Sequence, residues 1–74
     1  MIKIKVSELL GKHKMTQKDL AEKADIRPNT VSLLYHEKIQ RLDVDMIDKL
    51  CKVFQLDDIR DLIEYLPENT DKNN

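Results

Sequence analysis

Glycine occurs once in these 74 residues, at Gly11, and proline twice, at Pro28 and Pro67. Many-stranded folds need such residues at their corners, so their scarcity argues for a chain that is mostly helix. A lone glycine also excludes a glycine-rich loop that cradles phosphate. Cysteine too occurs once, at Cys51, which excludes an intrachain disulfide and is compatible with a reducing compartment. No apolar run approaches the roughly 18 residues that span a membrane, and the opening Met1 to Val6 lacks the continuous apolar stretch of a leader segment. A cytoplasmic location is the expectation. A chain of this length makes one domain with a thin core, a size at which oligomerisation often helps.

Charge is what the chain has in quantity, at 36% of residues against 41% hydrophobic. The formal net charge of −1 would argue against a nucleic-acid binder if it were spread evenly, and it is not. Residues 1 to 41 hold nine Lys/Arg against five Asp/Glu, a net of +4; residues 42 to 74 hold four against nine, a net of −5. A basic front and an acidic back would orient the molecule towards phosphate, with ordinary solvated charge as the alternative reading.

The basic front contains a stretch, residues 16 to 38, that reads as two short helices joined by a tight corner. Thr16 suits the cap of the first, Asp19 stands where a capping-box acid belongs, and Leu20, Ala21 and Ala24 form one apolar stripe. Arg27 precedes Pro28, and a residue before proline leaves the helical region while proline suits the first helical position, so a second helix begins at Pro28. Val31, Leu34 and Tyr35 share its inner face; Asn29, Ser32, Leu33 and His36 face outwards. Only Ala24 to Arg27 remain to turn the chain, which is the spacing of a helix-turn-helix.

Around this stretch the pattern predicts three further helices. Ile2, Ile4 and Val6 alternate with Lys3 and Lys5 as in a half-buried strand or an extended arm. Ser7 and Glu8 offer a cap and a first-turn acid to a short helix carrying Leu9, Leu10 and His13. Met15 sits where a hydrophobic staple precedes the Thr16 cap. Asp43 caps a helix striped by Val44, Ile47, Leu50, Cys51 and Phe54, the strongest amphipathic pattern in the chain. Asp57 then caps a fifth helix striped by Ile59, Leu62, Ile63 and Leu66, which Pro67 ends. Residues 1–66 therefore read as one helix-turn-helix domain and 67–74 as a disordered tail.

These residues resemble the phage Cro and lambda-type repressor group, the Xre-like helix-turn-helix regulators. The resemblance covers about residues 7 to 66 and is carried by Thr16-Gln17, Leu20-Ala21, Ile26, Thr30-Val31-Ser32 and the run from Leu50 to Phe54. It implies an all-α, five-helix DNA-binding domain, possessing no cofactor or metal. It also implies a sequence-specific transcriptional regulator whose recognition helix, about residues 28–37, enters the major groove of double-stranded DNA. Such regulators often bind near-palindromic operators as homodimers; here the N-terminal strand or the C-terminal helix could supply the interface.

Carried over position by position, the resemblance places base-reading side chains at Pro28, Asn29, Ser32 and Leu33, with phosphate contacts at Gln17 and His36. Asn29 is the best reader because an amide pairs bidentately with adenine; Leu33 can only pack on a thymine methyl, and Ser32 discriminates little. Lys18, Lys38 and Arg41 are flanking cations able to track the backbone. Three residues depart from the family pattern. Asp25 stands in the turn where Gly is usual, Arg27 replaces a neutral Ser or Thr cap, and Glu37 replaces a Gly after the recognition helix. A cation at a helix start is disfavoured by the dipole, so Arg27 is expected to meet a phosphate or a guanine edge. Glu37 would set a negative charge beside the expected DNA backbone.

Enzymatic and metal chemistry find little support. His13, His36 and Cys51 are too dispersed to suggest a ligand cluster, and Cys51 lies on a core stripe. The competing class is a protein-interaction module, an antitoxin or adaptor using the apolar residues of 2 to 6 and 59 to 66. The exposed Asn29, Ser32, His36 and Lys38 make a polar, positive face, which suits DNA better than a protein hot spot.

Overall fold

The structure, a computed structural model, describes residues 1–67. The expected tail falls, apart from Pro67, outside the described residues. In chain order the elements are β1 (Ile2–Ile4), α1 (Val6–Lys12), α2 (Gln17–Ala24), α3 (Pro28–Tyr35), α4 (Val44–Val53), one 3-10 turn (Ile59–Asp61) and β2 (Ile63–Tyr65). The four helices pack around an entirely apolar interior in which Val6, Leu20, Val31, Leu34, Leu50 and Leu62 are 0% exposed and Phe54 is 1% exposed. No helix among the described residues is long and apolar enough to cross a membrane.

The chain is mostly helical, as its composition implies, but the described residues form four α-helices and not five. The segment expected to form the last helix makes one 3-10 turn and then β2, which pairs antiparallel with β1 in the register Ile2↔Tyr65, Lys3↔Glu64, Ile4↔Ile63. Two effects decide this. The Asp58 carboxylate, and not that of Asp57, accepts the Arg60 backbone N–H at 2.8 Å, so the segment starts with i→i+3 bonds from Asp61 to Asp58 and from Leu62 to Ile59. Beyond Leu62 the order Ile-Glu-Tyr also alternates, and the otherwise unpaired β1 supplies a ladder for it. The N-terminal stretch is thus a true strand, with its partner in the same chain.

Several local expectations change with it. α1 starts one residue before Ser7; its cap position is Lys5, with no side-chain cap bond. His13 is exposed, although its ring lies 5.4 Å from that of Phe54. Val44 is 82% exposed, because the first turn of α4 points its leading residue outwards, and Ile59 is 52% exposed on the 3-10 turn. Asp43 does cap α4, accepting the Met46 N–H at 2.7 Å.

Every α-helix ends in the same way despite the shortage of glycine. Lys14, Asp25, Glu37 and Gln55 follow the four helices with φ of 53°, 55°, 57° and 56°, and Gly11 is not among them. In each case the next N–H reaches back to the helix: Met15 to the Leu10 carbonyl, Ile26 to Ala21, Lys38 to Leu33 and Leu56 to Cys51, at 2.8 to 3.0 Å. This is the Schellman termination, built on side chains that the left-handed conformation disfavours. Met15, Ile26 and Leu56 turn back onto the core and so offset part of that strain.

Candidate nucleic-acid interface

The α2–α3 pair has the geometry its residues dictate. Thr16 and Asp19 form a complete capping box at the start of α2: the Thr16 hydroxyl accepts the Asp19 N–H and the Asp19 carboxylate accepts the Thr16 N–H, each at 3.0 Å. Those backbone and side-chain bonds from Thr16 hold the Asp19 carboxyl below the ordinary carboxylate range. Asp25 takes the left-handed conformation at φ 55°, ψ 50°, which a short polar side chain tolerates. The corner then closes over Ile26, which packs on the core.

Arg27 is the extended residue before α3, and Pro28 is its first helical position. No side chain caps this helix and no acid lies in its first turn. Its positive dipole end thus gets no compensation from its own cap or first turn; Asp25, Asp43 and Asp45 line a shallow hollow with Arg27 and Thr30 beside it.

Of the residues expected to read bases, Arg27, Pro28 and Asn29 are exposed, while Ser32 and Leu33 are half-buried on the outer side of α3. Val31 and Leu34 are the anchors that fix this orientation, both fully buried. Among the expected phosphate contacts, Lys18, His36, Lys38 and Arg41 are exposed, and Gln17, the first residue of α2, is half-buried. The recognition helix is shorter than expected, since His36 is already its C-cap and Glu37 lies beyond it.

The spacing places Tyr35 on the inner face of α3, yet it is 37% exposed. Its ring meets that of His36 edge-on with centroids 5.0 Å apart, and it shares a shallow surface hollow with Thr16 and Gln17. Two buried anchors suffice for an eight-residue helix, which leaves a third stripe residue at the margin. The phenol hydroxyl was the available sign that such a position could face water.

The ion pairs divide the cations into two groups. Among the described residues, pairs within 4.0 Å join Lys3 to Glu8, Lys5 to Glu64, Lys49 to Asp45, Lys52 to Asp48 and Arg60 to Asp58. All of these belong to the β1–α1 start, to α4 or to the closing turn and strand. Lys12, Lys14, Lys18, Lys23, Arg27, Lys38 and Arg41 enter none of them, and they form one continuous block of sequence around α2 and α3. Within the same block, Asp19 is engaged by the Thr16 amide and Glu37 by the Ile4 amide. With Glu22 and Asp25 counted beside these two acids, seven cations stand against four carboxylates over residues 12–41, a net of +3 that leaves this side positive.

Among the described residues no group of three or more His, Cys, Asp or Glu could hold a metal ion. Burial, with Asp48 nearby, pushes the Cys51 thiol up, which disfavours the thiolate a nucleophile would need.

A capped scaffold helix, a three-residue corner (Asp25 to Arg27) and a proline-started helix, set beside cations that enter no ion pair among the described residues, are the parts of a groove-reading module. Comparison with known proteins agrees. The sequence profile of the Cro/C1-type helix-turn-helix DNA-binding domain matches residues 5–68. No curated protein matches the chain. Among solved structures, a crystal structure of a Bacteroides fragilis protein, itself proposed to bind DNA, is similar at 28% identity and a TM-score of 0.74, covering 86% of this chain and 100% of that one. With the profile spanning nearly all the described residues and the α2–α3 geometry to match, the chain belongs to the Cro/C1-type helix-turn-helix DNA-binding family.

Proposed function

We propose that the protein is a sequence-specific transcriptional regulator that lays α3 in the major groove of duplex DNA. The observation that carries this reading is the block of cations from Lys12 to Arg41 that enter no ion pair among the described residues, set around a helix that exposes Pro28, Asn29 and His36. In this reading Asn29 pairs with adenine, Leu33 packs on a thymine methyl, and Ser32 and Pro28 shape the fit. Arg27 meets a phosphate or guanine at the mouth of the groove. Gln17, Lys18, His36, Lys38 and Arg41 contact phosphates and set the register, and the exposed Tyr35 hydroxyl adds a neutral donor beside Gln17.

The reading includes a homodimer on a near-palindromic operator, because one eight-residue helix covers only a half-site. The segment expected to form the last helix cannot join two copies as a helix, since Ile63–Tyr65 form β2. The N-terminal strand remains, where Ile2 is 54% exposed opposite Tyr65 at 66%.

The test is selection of duplexes from a random library, followed by binding of the Asn29→Ala protein to the selected site. The expected result is a two-fold symmetric site, with roughly 1–3 kcal/mol lost and discrimination relaxed at one base pair of each half. Binding of all duplexes alike, with no enrichment, would leave the protein a general DNA binder at most.

A further inference from the structure

The register of the small sheet decides which backbone groups of β1 face away from β2. Lys5 donates to the Leu62 carbonyl and Leu66 donates to that of Met1, both at 2.8 Å. With Ile2 opposite Tyr65 and Ile4 opposite Ile63, the amides of Ile2 and Ile4 must then point to the outer edge. An outward amide on an edge strand ordinarily meets water. That of Ile4 instead donates to the Glu37 carboxylate at 3.0 Å, across 33 residues of sequence, in a partly buried setting beside Ile2, Ile39 and Leu42.

Glu37 is the left-handed residue that ends the recognition helix. Its own N–H donates to the Leu34 carbonyl at 3.2 Å, and the next N–H, that of Lys38, donates to Leu33 at 2.8 Å. One residue therefore holds the last turn of α3 by its backbone and β1 by its side chain. A carboxylate at the end of a DNA-facing helix would repel phosphate if it pointed outwards; here it is turned towards β1. Glycine would adopt this backbone without strain but could not reach Ile4.

We infer that Glu37 is a positioning residue, which sets the orientation of α3 on DNA by clamping its C-terminal end to the outer edge of β1. The inference rests on the DNA-binding reading above. With the clamp released, α3 keeps its sequence and its Schellman bonds but loses its fixed attachment to the sheet. Selected and unrelated duplexes are then bound more equally. Loss of one negative charge alone would instead strengthen binding to every duplex alike.

The experiment compares wild type, Glu37→Gly and Glu37→Gln. Glycine relieves the left-handed backbone and removes the acceptor; glutamine removes the charge and retains an acceptor oxygen. Three quantities are read: amide hydrogen exchange at Ile4, affinity for a duplex selected by the wild-type chain, and affinity for the same duplex with its order scrambled. In Glu37→Gly, Ile4 should lose protection while the other sheet amides keep theirs. The ratio of selected to scrambled affinity should fall by roughly two- to tenfold, the scale on which groups remote from a ligand alter its binding. Across all three proteins that ratio should follow Ile4 protection. If the ratio and the protection come apart, in either variant, the inference is overturned while the DNA reading stands. A wild-type chain that selects no duplex overturns the reading and the inference with it.

Discussion

Asp58 holds Arg60 by four hydrogen bonds: Nη2 donates to Oδ2 at 2.8 Å, Nε donates to Oδ2 at 3.1 Å and to Oδ1 at 3.2 Å, and the Arg60 backbone N–H donates to Oδ1 at 2.8 Å. This grip opens the 3-10 turn and so helps to set where β2 begins. The Arg60 side-chain and backbone bonds bring the Asp58 carboxyl from an ordinary 3.8 down to about 2. A depressed folded-state value means that its contribution to stability is complete above 3.8 and is lost as the pH falls towards 2. Thermal unfolding across that interval should therefore show a shallower acid loss in Asp58→Asn than in wild type. An identical acid limb in the two proteins would show that the solvent-exposed pair contributes nothing.

The left-handed helix ends predict stabilising glycines. Lys14→Gly and Gln55→Gly each remove a side chain from a φ near 55° without cutting any side-chain hydrogen bond found at either position. Each is expected to raise the unfolding free energy by about 0.5–1 kcal/mol, the glycine entropy cost having been subtracted from the relieved strain. Asp25→Gly should gain less, because aspartate tolerates that conformation better. Urea denaturation at constant m-value measures all three.

The core divides α-helical stripe residues that look alike in sequence. Leu34→Ala removes a side chain with 0% exposure and should cost about 2–5 kcal/mol, a large share of the stability of so small a domain. Val44→Ala, at an 82% exposed position on the same kind of stripe, should stay within about 0.5 kcal/mol. Circular dichroism melts of the two variants against wild type separate these outcomes.

The motif was legible because its signals are local. A capping pair three residues apart, a proline at a helix start and a short gap need nothing from elsewhere in the chain; all appear in the structure, the gap as three residues, Asp25 to Arg27, because Ala24 still belongs to α2. Residues 62 to 66 were not, since Leu62, Ile63 and Leu66 fit a helical period and Ile63 to Tyr65 fit an alternating one. The choice was made by a strand some sixty positions away, which no local pattern contains. Glu37 is similar: its departure from glycine was visible, but the amide it accepts from lies on β1. Left-handed helix ends at Lys14 and Gln55 carried no sign of their own, because lysine and glutamine seldom adopt that conformation.

The division of cations into paired and unpaired sets is the point on which the functional account turns. Fluorescence anisotropy of duplex DNA binding across a salt series tests it, comparing wild type with Lys38→Ala/Arg41→Ala and with Lys49→Ala/Lys52→Ala. The first pair enters no ion pair among the described residues and lies beside α3, whereas the second is joined to Asp45 and Asp48 on α4. The account predicts weaker binding for the first double variant on every duplex, with the slope of log K against log salt reduced by roughly two units, and an unchanged slope for the second. Equal slopes for the two double variants would contradict it.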